Sequence, residues 1–136
     1  MTNPIILTKI DNRGVATITL NRPELHNAFD DILISELTDL LREFDEDPDV
    51  RVVLLAANGK SFSAGADLNW MRRMADYSRE QNLADAEILA ELMRTLDTLT
   101  KPTIALIQGA AFGGGVGLVA CCDIAIATTK ASFCLS

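Results

Sequence analysis

The sequence predicts an α/β fold, and three observations carry that expectation. Short β-branched runs alternate with helical apolar stripes along the chain. Two of those runs, residues 50–57 and 103–107, are almost continuously apolar, as strands covered on both faces are. Glycine-flanked turns stand between strand and helix at residues 63–67 and 113–117. A length of 136 residues, 49% of them hydrophobic, suits one domain around one core.

Taken in order, residues 5–10 and 15–20 are β-rich, and Asp11-Asn12-Arg13-Gly14 joins them as a hairpin. Asn21-Arg22-Pro23 ends the second strand. From about Asp30 to Phe44, Leu33, Leu37, Leu40, Leu41 and Phe44 form one helical stripe, which Asp47-Pro48-Asp49 stops. The strand at 50–57 is interrupted only by Arg51 and turns at Asn58-Gly59. A short helix is expected from near Leu68 and a longer one over 78–99. Ser78 and Gln81 stand at capping-box spacing, and Leu89, Leu92, Met93, Leu96 and Leu99 make the stripe. Lys101-Pro102 leads into the strand at 103–107. Residues 118–122 are expected to be helical, 124–127 a strand, and 132–135 the start of another.

Composition excludes several classes. No stretch of about 18 apolar residues predicts a membrane span. Met1-Thr2-Asn3-Pro4 lacks the basic and apolar regions of a secretory signal. A net charge of −7 argues against a nucleic-acid partner. It leaves room for a small anionic ligand, because Arg22, Lys60, Arg72 and Arg73 are local cations. Cys121 and Cys122 are adjacent in an apolar stretch, and with Cys134 they show no metal-ligand spacing. Buried thiols in a reducing cytoplasm are the expectation.

Ser63-Ala64-Gly65-Ala66-Asp67 follows a strand and a turn and leads into a helix. Its small residues allow close approach of a ligand to backbone, and the amides of Ala66 and Asp67 are expected as donors at a helix start. Asp67 is placed to cap that helix. An ordinary small-residue loop explains the pattern equally well. Gly113-Gly114-Gly115-Val116-Gly117 holds four glycines in five residues, which disfavours helix. Chains tolerate this where backbone passes close to another segment or to a ligand. Residues 115–120 also fit G-x-G-x-x-A, but the match stands apart from the first strand and shows no acidic partner about 20 residues on. Two such donors aimed at one carbonyl oxygen would stabilise its developing negative charge. Nothing in residue pattern alone brings them together.

The combination of Leu20-Asn21-Arg22-Pro23 with Asn27-Ala28, residues 61–68, Lys101-Pro102, residues 109–115 and Cys122-Asp123 resembles the crotonase superfamily, the enoyl-CoA hydratase/isomerase group. The match runs across the chain and covers roughly the N-terminal half of such a protein. The resemblance implies a spiral core of ββα units, with a helical C-terminal region beyond Ser136 used in homotrimer or hexamer assembly. It implies an acyl-CoA thioester as substrate, with no metal and no separate cofactor. Ala66 and Gly114 match the two oxyanion donors. Glu24, Leu25, His26 and Ala28 match positions along the CoA, as do Ala64, Gly65, Asp67 and Leu68; Phe112 and Gly117 complete the implied substrate-binding set.

One departure matters. The best-studied hydratases carry their first catalytic glutamate where this chain has Gly117, and their second falls just beyond Ser136. Residues 68–71, 113–118, 121–123 and 133–136 look most like bacterial hydratases of branched acyl-CoAs, with methylglutaconyl-CoA hydratase of leucine breakdown nearest and geranoyl-type enzymes next. The expected function is hydration of a 2,3-enoyl-CoA. Isomerisation, decarboxylation, thioester hydrolysis and silent CoA binding stand as alternatives. His26, the single histidine, lacks a nucleophile-elbow partner. Trp70 and Met71 fit either an acyl wall or plain core. Asp123 is expected to start a strand structurally, and the acidic residues from 43 to 49 to form a solvated helix end.

Overall fold

The computed structural model describes residues 3–135. Strands β1 (Ile6–Ile10) and β2 (Val15–Leu20) form the expected antiparallel hairpin. Its turn is fastened by Asp11, whose carboxylate accepts from the amides of Arg13 and Val15. Strands β3 (Val52–Ala57), β5 (Thr103–Ile107) and β7 (Ile124–Ala127) then add in parallel, giving the order β1-β2-β3-β5-β7. A second sheet, parallel throughout, takes β4 (Ser61–Ser63), β6 (Ala110–Phe112) and β8 (Ser132–Cys134). Each of β3, β5 and β7 is followed by a short strand in the other sheet. The chain thus repeats a two-strand unit, and the first two such units are each closed by helix.

The helices begin where local chemistry dictates. Asp30 caps α1 (Asp31–Glu46) by accepting the Leu33 amide at 2.9 Å. Asp67 caps α2 (Leu68–Ala75) by accepting the Trp70 amide at 3.0 Å. The Ser78–Gln81 capping box opens α3 (Arg79–Asp97) with both of its hydrogen bonds formed. Leu33, Ile34, Leu37, Leu41 and Phe44 of α1 are buried with Leu92 and Leu96 of α3, in one core with alternate residues of β2, β3 and β5.

Two expectations about the elements need correction, and two strands were not foreseen. Residues 50–57 and 103–107 are not covered on both faces: burial alternates, and Val52, Leu54, Ile104 and Leu106 are only half-buried. The helix layer contributes to one face, and a continuous apolar run does not reveal that. Helix α4 (Gly114–Cys121) starts inside the glycine run, four residues before the expected Leu118. Tertiary contact overrides the weak propensity there, since Gly114, Gly115 and Gly117 all lie against other segments. Strands β4 and β6 were not legible, because three residues are too short for a period-two signal.

Smaller features sort as follows. Asp123 ties β7 to β5 by accepting from the Thr103 amide at 2.9 Å, a structural role as expected. Asp45 is not merely solvated, since it accepts from both the amide and the hydroxyl of Thr100. Trp70 is core, whereas Met71 is exposed. Cys121 and Cys122 are half-buried rather than buried, and Cys134 is exposed. Burial pushes the Cys122 thiol up to about 11, so it stays protonated at neutral pH. Among the described residues no helix is long and apolar enough to cross a membrane. Ser136, part of the resemblance at the C-terminus, lies outside the described residues.

Candidate functional site

The site is built outward from a short left-handed stretch. After a 3-10 turn over Pro23–Leu25, His26 and Asn27 both take φ of +53°. Asparagine tolerates this conformation better than most residues, and here its side chain holds it there. Asn27 is fully buried. Its Oδ1 accepts the Arg22 amide at 2.8 Å, and its Nδ2 donates to the carbonyls of Asn58 at 2.7 Å and Ser61 at 3.0 Å. One amide group therefore fastens the turn at 22–27 to the end of β3 and the start of β4.

Beyond Asn27 the chain runs beside the first small-residue turn. The Phe29 amide donates to the Gly65 carbonyl at 2.8 Å, and the Asp67 amide donates to the Phe29 carbonyl at 2.9 Å. Backbone polar directions alternate along extended chain, so the intervening Ala66 N–H faces away from Phe29. It has no hydrogen-bond partner among the described residues. Gly65 adopts φ of +85°, and a Cβ there would meet the Phe112 carbonyl oxygen at 2.8 Å and the Gly114 nitrogen at 3.3 Å. The two glycine turns are thus in direct contact. Gly114 opens α4, and its N–H is likewise without a partner among the described residues, as first-turn amides of a helix are.

Phe29 joins the two turns. Its backbone pairs with residues 65 and 67, while its ring lies where a Gly114 Cβ would be, at 2.4 Å from Cζ. Gly115 is equally constrained, because a Cβ there would fall 2.6 Å from the Ser63 carbonyl oxygen. Gly114 and Gly115 are required by close packing and Gly113 by its φ of +54°, and that packing places the free Gly114 donor beside the first turn.

A cavity of about 470 Å³ opens at Ala66, the first of these donors. Glu24, Leu25, His26 and Ala28 line one side, and Ala64, Ala66, Asp67 and Leu68 the other. Its volume is that of a small-molecule site. Of the implied binding set, Gly65, Phe112, Gly114 and Gly117 do not line it. Gly65, Phe112 and Gly114 lie at the contact between the turns, whereas Gly117 faces α3, where a Cβ would meet the Met93 Cε at 3.0 Å. Asn69 and Arg72 also line the cavity; Arg72 was among the cations expected to meet an anionic ligand, whereas Asn69 was not expected there. Arg72 stands four residues after Leu68 on one face of α2.

Of the local cations, Arg22 is engaged with Asp30 at 3.2 Å and Asp67 at 3.7 Å, and Arg73 with Asp31 at 3.2 Å. Arg72 remains in the cavity wall with only a 3.5 Å contact to Asn69. His26 Nδ1 lies 3.0 Å from the Ser61 hydroxyl. No group of three or more potential metal ligands occurs among the described residues.

Asp30 has a linked pH effect. Burial raises its pKa, but the Leu33 amide and the hydrogen bond and charge of Arg22 outweigh that, leaving it below the ordinary carboxylate value. A lowered folded-state pKa contributes stability above the unfolded value and loses it as pH falls through the folded one. Asp30→Asn keeps a capping side chain but loses the charge. The stability difference between the two proteins is expected to be constant above pH ~5 and to shrink below pH ~4. Urea midpoints across that range measure it, and a pH-independent difference would contradict the assignment.

Residues 11–136 match the enoyl-CoA hydratase/isomerase family. The structure superimposes on an enoyl-CoA hydratase from Shewanella pealeana with TM-score 0.94 and 54% identity, over 98% of this chain and 50% of that one. A mitochondrial enoyl-CoA hydratase of Pongo abelii is 41% identical over 90% of this chain and 40% of its own length. A trans-2-decenoyl-[acyl-carrier-protein] isomerase of Streptococcus mutans is 37% identical over 94% of this chain and 49% of its own. The chain thus spans about half the length of the curated relatives it matches or less. Sequence match, two-sheet ββα topology and glycine-turn geometry agree: this chain belongs to the enoyl-CoA hydratase/isomerase family, with the crotonase fold.

Proposed function

We propose that the whole protein is a cytoplasmic lyase that adds water across the 2,3 double bond of an enoyl-CoA. The observation that carries this reading is the contact between the two glycine turns, with the N–H groups of Ala66, in the cavity wall, and of Gly114, at the turn contact, both unpaired among the described residues. In the proposed complex these amides donate to the thioester oxygen, and they bind it more strongly as hydration drives charge onto it. A preorganised donor of this kind lowers the barrier by roughly 3–4 kcal/mol. The CoA lies along residues 24–28 and 64–68, with Arg72 available to a phosphate. It is substrate, and no further cofactor is assigned.

Proton transfer is assigned to a carboxylate C-terminal to residue 136, because Gly117 bears no proton-transferring group. A homotrimer or hexamer is the proposed assembly. The acyl group is proposed to be branched, with methylglutaconyl-CoA of leucine breakdown as first candidate. Gly117 also favours a second reading, in which the oxyanion site serves another family reaction (isomerisation, decarboxylation or thioester hydrolysis) or only binds CoA.

The test is hydration by the full-length protein, with methylglutaconyl-CoA compared against crotonyl-CoA and products identified by mass. Hydration of either is expected, and more efficient hydration of the branched substrate supports the acyl assignment. Tight CoA binding without hydration of either overturns the lyase reading in favour of the second.

A further inference from the structure

Gly117 stands three residues after Gly114 on the same face of α4, so the two are neighbours about one turn apart. The space beside Gly117 is already taken. A Cβ there would lie 3.0 Å from the Met93 Cε and 3.4 Å from its Sδ. One turn further along α4, the Cys121 Sγ lies 4.0 Å from the same Sδ. Met93 is half-buried on α3 and packs against the common core. Its thioether therefore lies along α4 from Gly117 to Cys121 and fills the groove that a glycine leaves in a helix surface. Methionine suits such a place, since it is unbranched, polarisable and able to follow an irregular gap.

An acyl chain whose thioester oxygen is held at Gly114 has its next carbons within one helical turn of that donor. We propose that Met93 is a specificity-determining residue for the acyl group. Its S-methyl, admitted by Gly117, forms an apolar wall where a longer side chain at 117 would otherwise stand. The inference rests on the reading of Ala66 and Gly114 as the thioester site. It assigns to the Gly117–Met93 pair the selection of acyl shape. An uncharged thioether beside Gly117 offers a branch methyl dispersion contact and imposes no ionised neighbour on it.

The test uses saturated CoA thioesters, so that it does not depend on hydration. Dissociation constants for butyryl-CoA and isovaleryl-CoA are measured by calorimetry on the full-length protein, on Met93→Ala and on the volume-conserving Met93→Leu. A contact of one methyl-sized group changes discrimination by about tenfold or more. The ratio of the two constants is expected to shift by that order in Met93→Ala, and in the same direction but less in Met93→Leu, with free CoA affinity unchanged. A merely structural Met93 lowers stability and leaves the ratio at its wild-type value; that result in Met93→Leu overturns the inference even if Met93→Ala does not fold. A shifted ratio in a protein that hydrates nothing upholds the inference while overturning the lyase. Failure to bind any thioester overturns the thioester site and the inference with it.

Discussion

Asn27→Ala in the full-length protein is expected to lose about 3–4 kcal/mol of folding stability. The Arg22 amide and the Asn58 carbonyl, in part-buried hydrogen bonds, lose their side-chain partner, at the low end of about 1–3 kcal/mol each. The Ser61 carbonyl suffers less, because Gln108 also donates to it at 3.1 Å. Alanine at φ of +53° adds about 1 kcal/mol that asparagine largely avoids. Guanidinium denaturation of Asn27→Ala beside Asn27→Gly separates these contributions. Glycine is free of the backbone penalty but makes none of the hydrogen bonds, so it is expected to recover only the smaller part. A loss below 1 kcal/mol for both variants would show that the clamp is not what holds residues 22–27 against β3 and β4.

Gly114→Ala is expected to lower kcat for the proposed hydration by about 100-fold or more. The added methyl falls 2.4 Å from the Phe29 Cζ, and that residue is 2% exposed. Either α4 moves, taking the Gly114 donor with it, or Phe29 moves and draws the paired residues 65–67 and the Ala66 donor along. Both donors are thereby placed at risk by one methyl group, and misplacement of about 1 Å is enough to impair catalysis severely. Overpacking also costs about 1–3 kcal/mol in stability. Phe29→Leu in the Gly114→Ala background shortens the opposing side chain and is expected to restore part of kcat. Unchanged kcat in Gly114→Ala would exclude this turn from holding the thioester.

Much of this site was legible in the chain because its determinants are local. Asp67 and Ser78 announce helix starts through hydrogen bonds to residues three positions on, and both were read correctly. Eight of the twelve residues that the family resemblance implied for substrate binding line the cavity, seven of them within residues 24–28 and 64–67 and the eighth being Leu68. The glycine run was recognised as a place of close approach, but its conformation was misread. Propensity disfavours helix there, and only contacts with Phe29, Ser63 and Met93, distant in sequence, explain why helix begins at Gly114.

The sequence by itself determined the hairpin, the helix caps, the alternation of strand and helix, and through its motifs the family. These depend on interactions within a few residues or on pattern matched position by position. Tertiary structure alone decided three further matters. It set which face of β3 and β5 is covered, since a continuous apolar run has no period to report it. It paired β4, β6 and β8 into a second sheet, since β4 and β6 are too short to carry a period and nothing local reports which strands pair. And it brought the Ala66 and Gly114 turns into contact through one phenylalanine, a juxtaposition set by packing across long sequence separations.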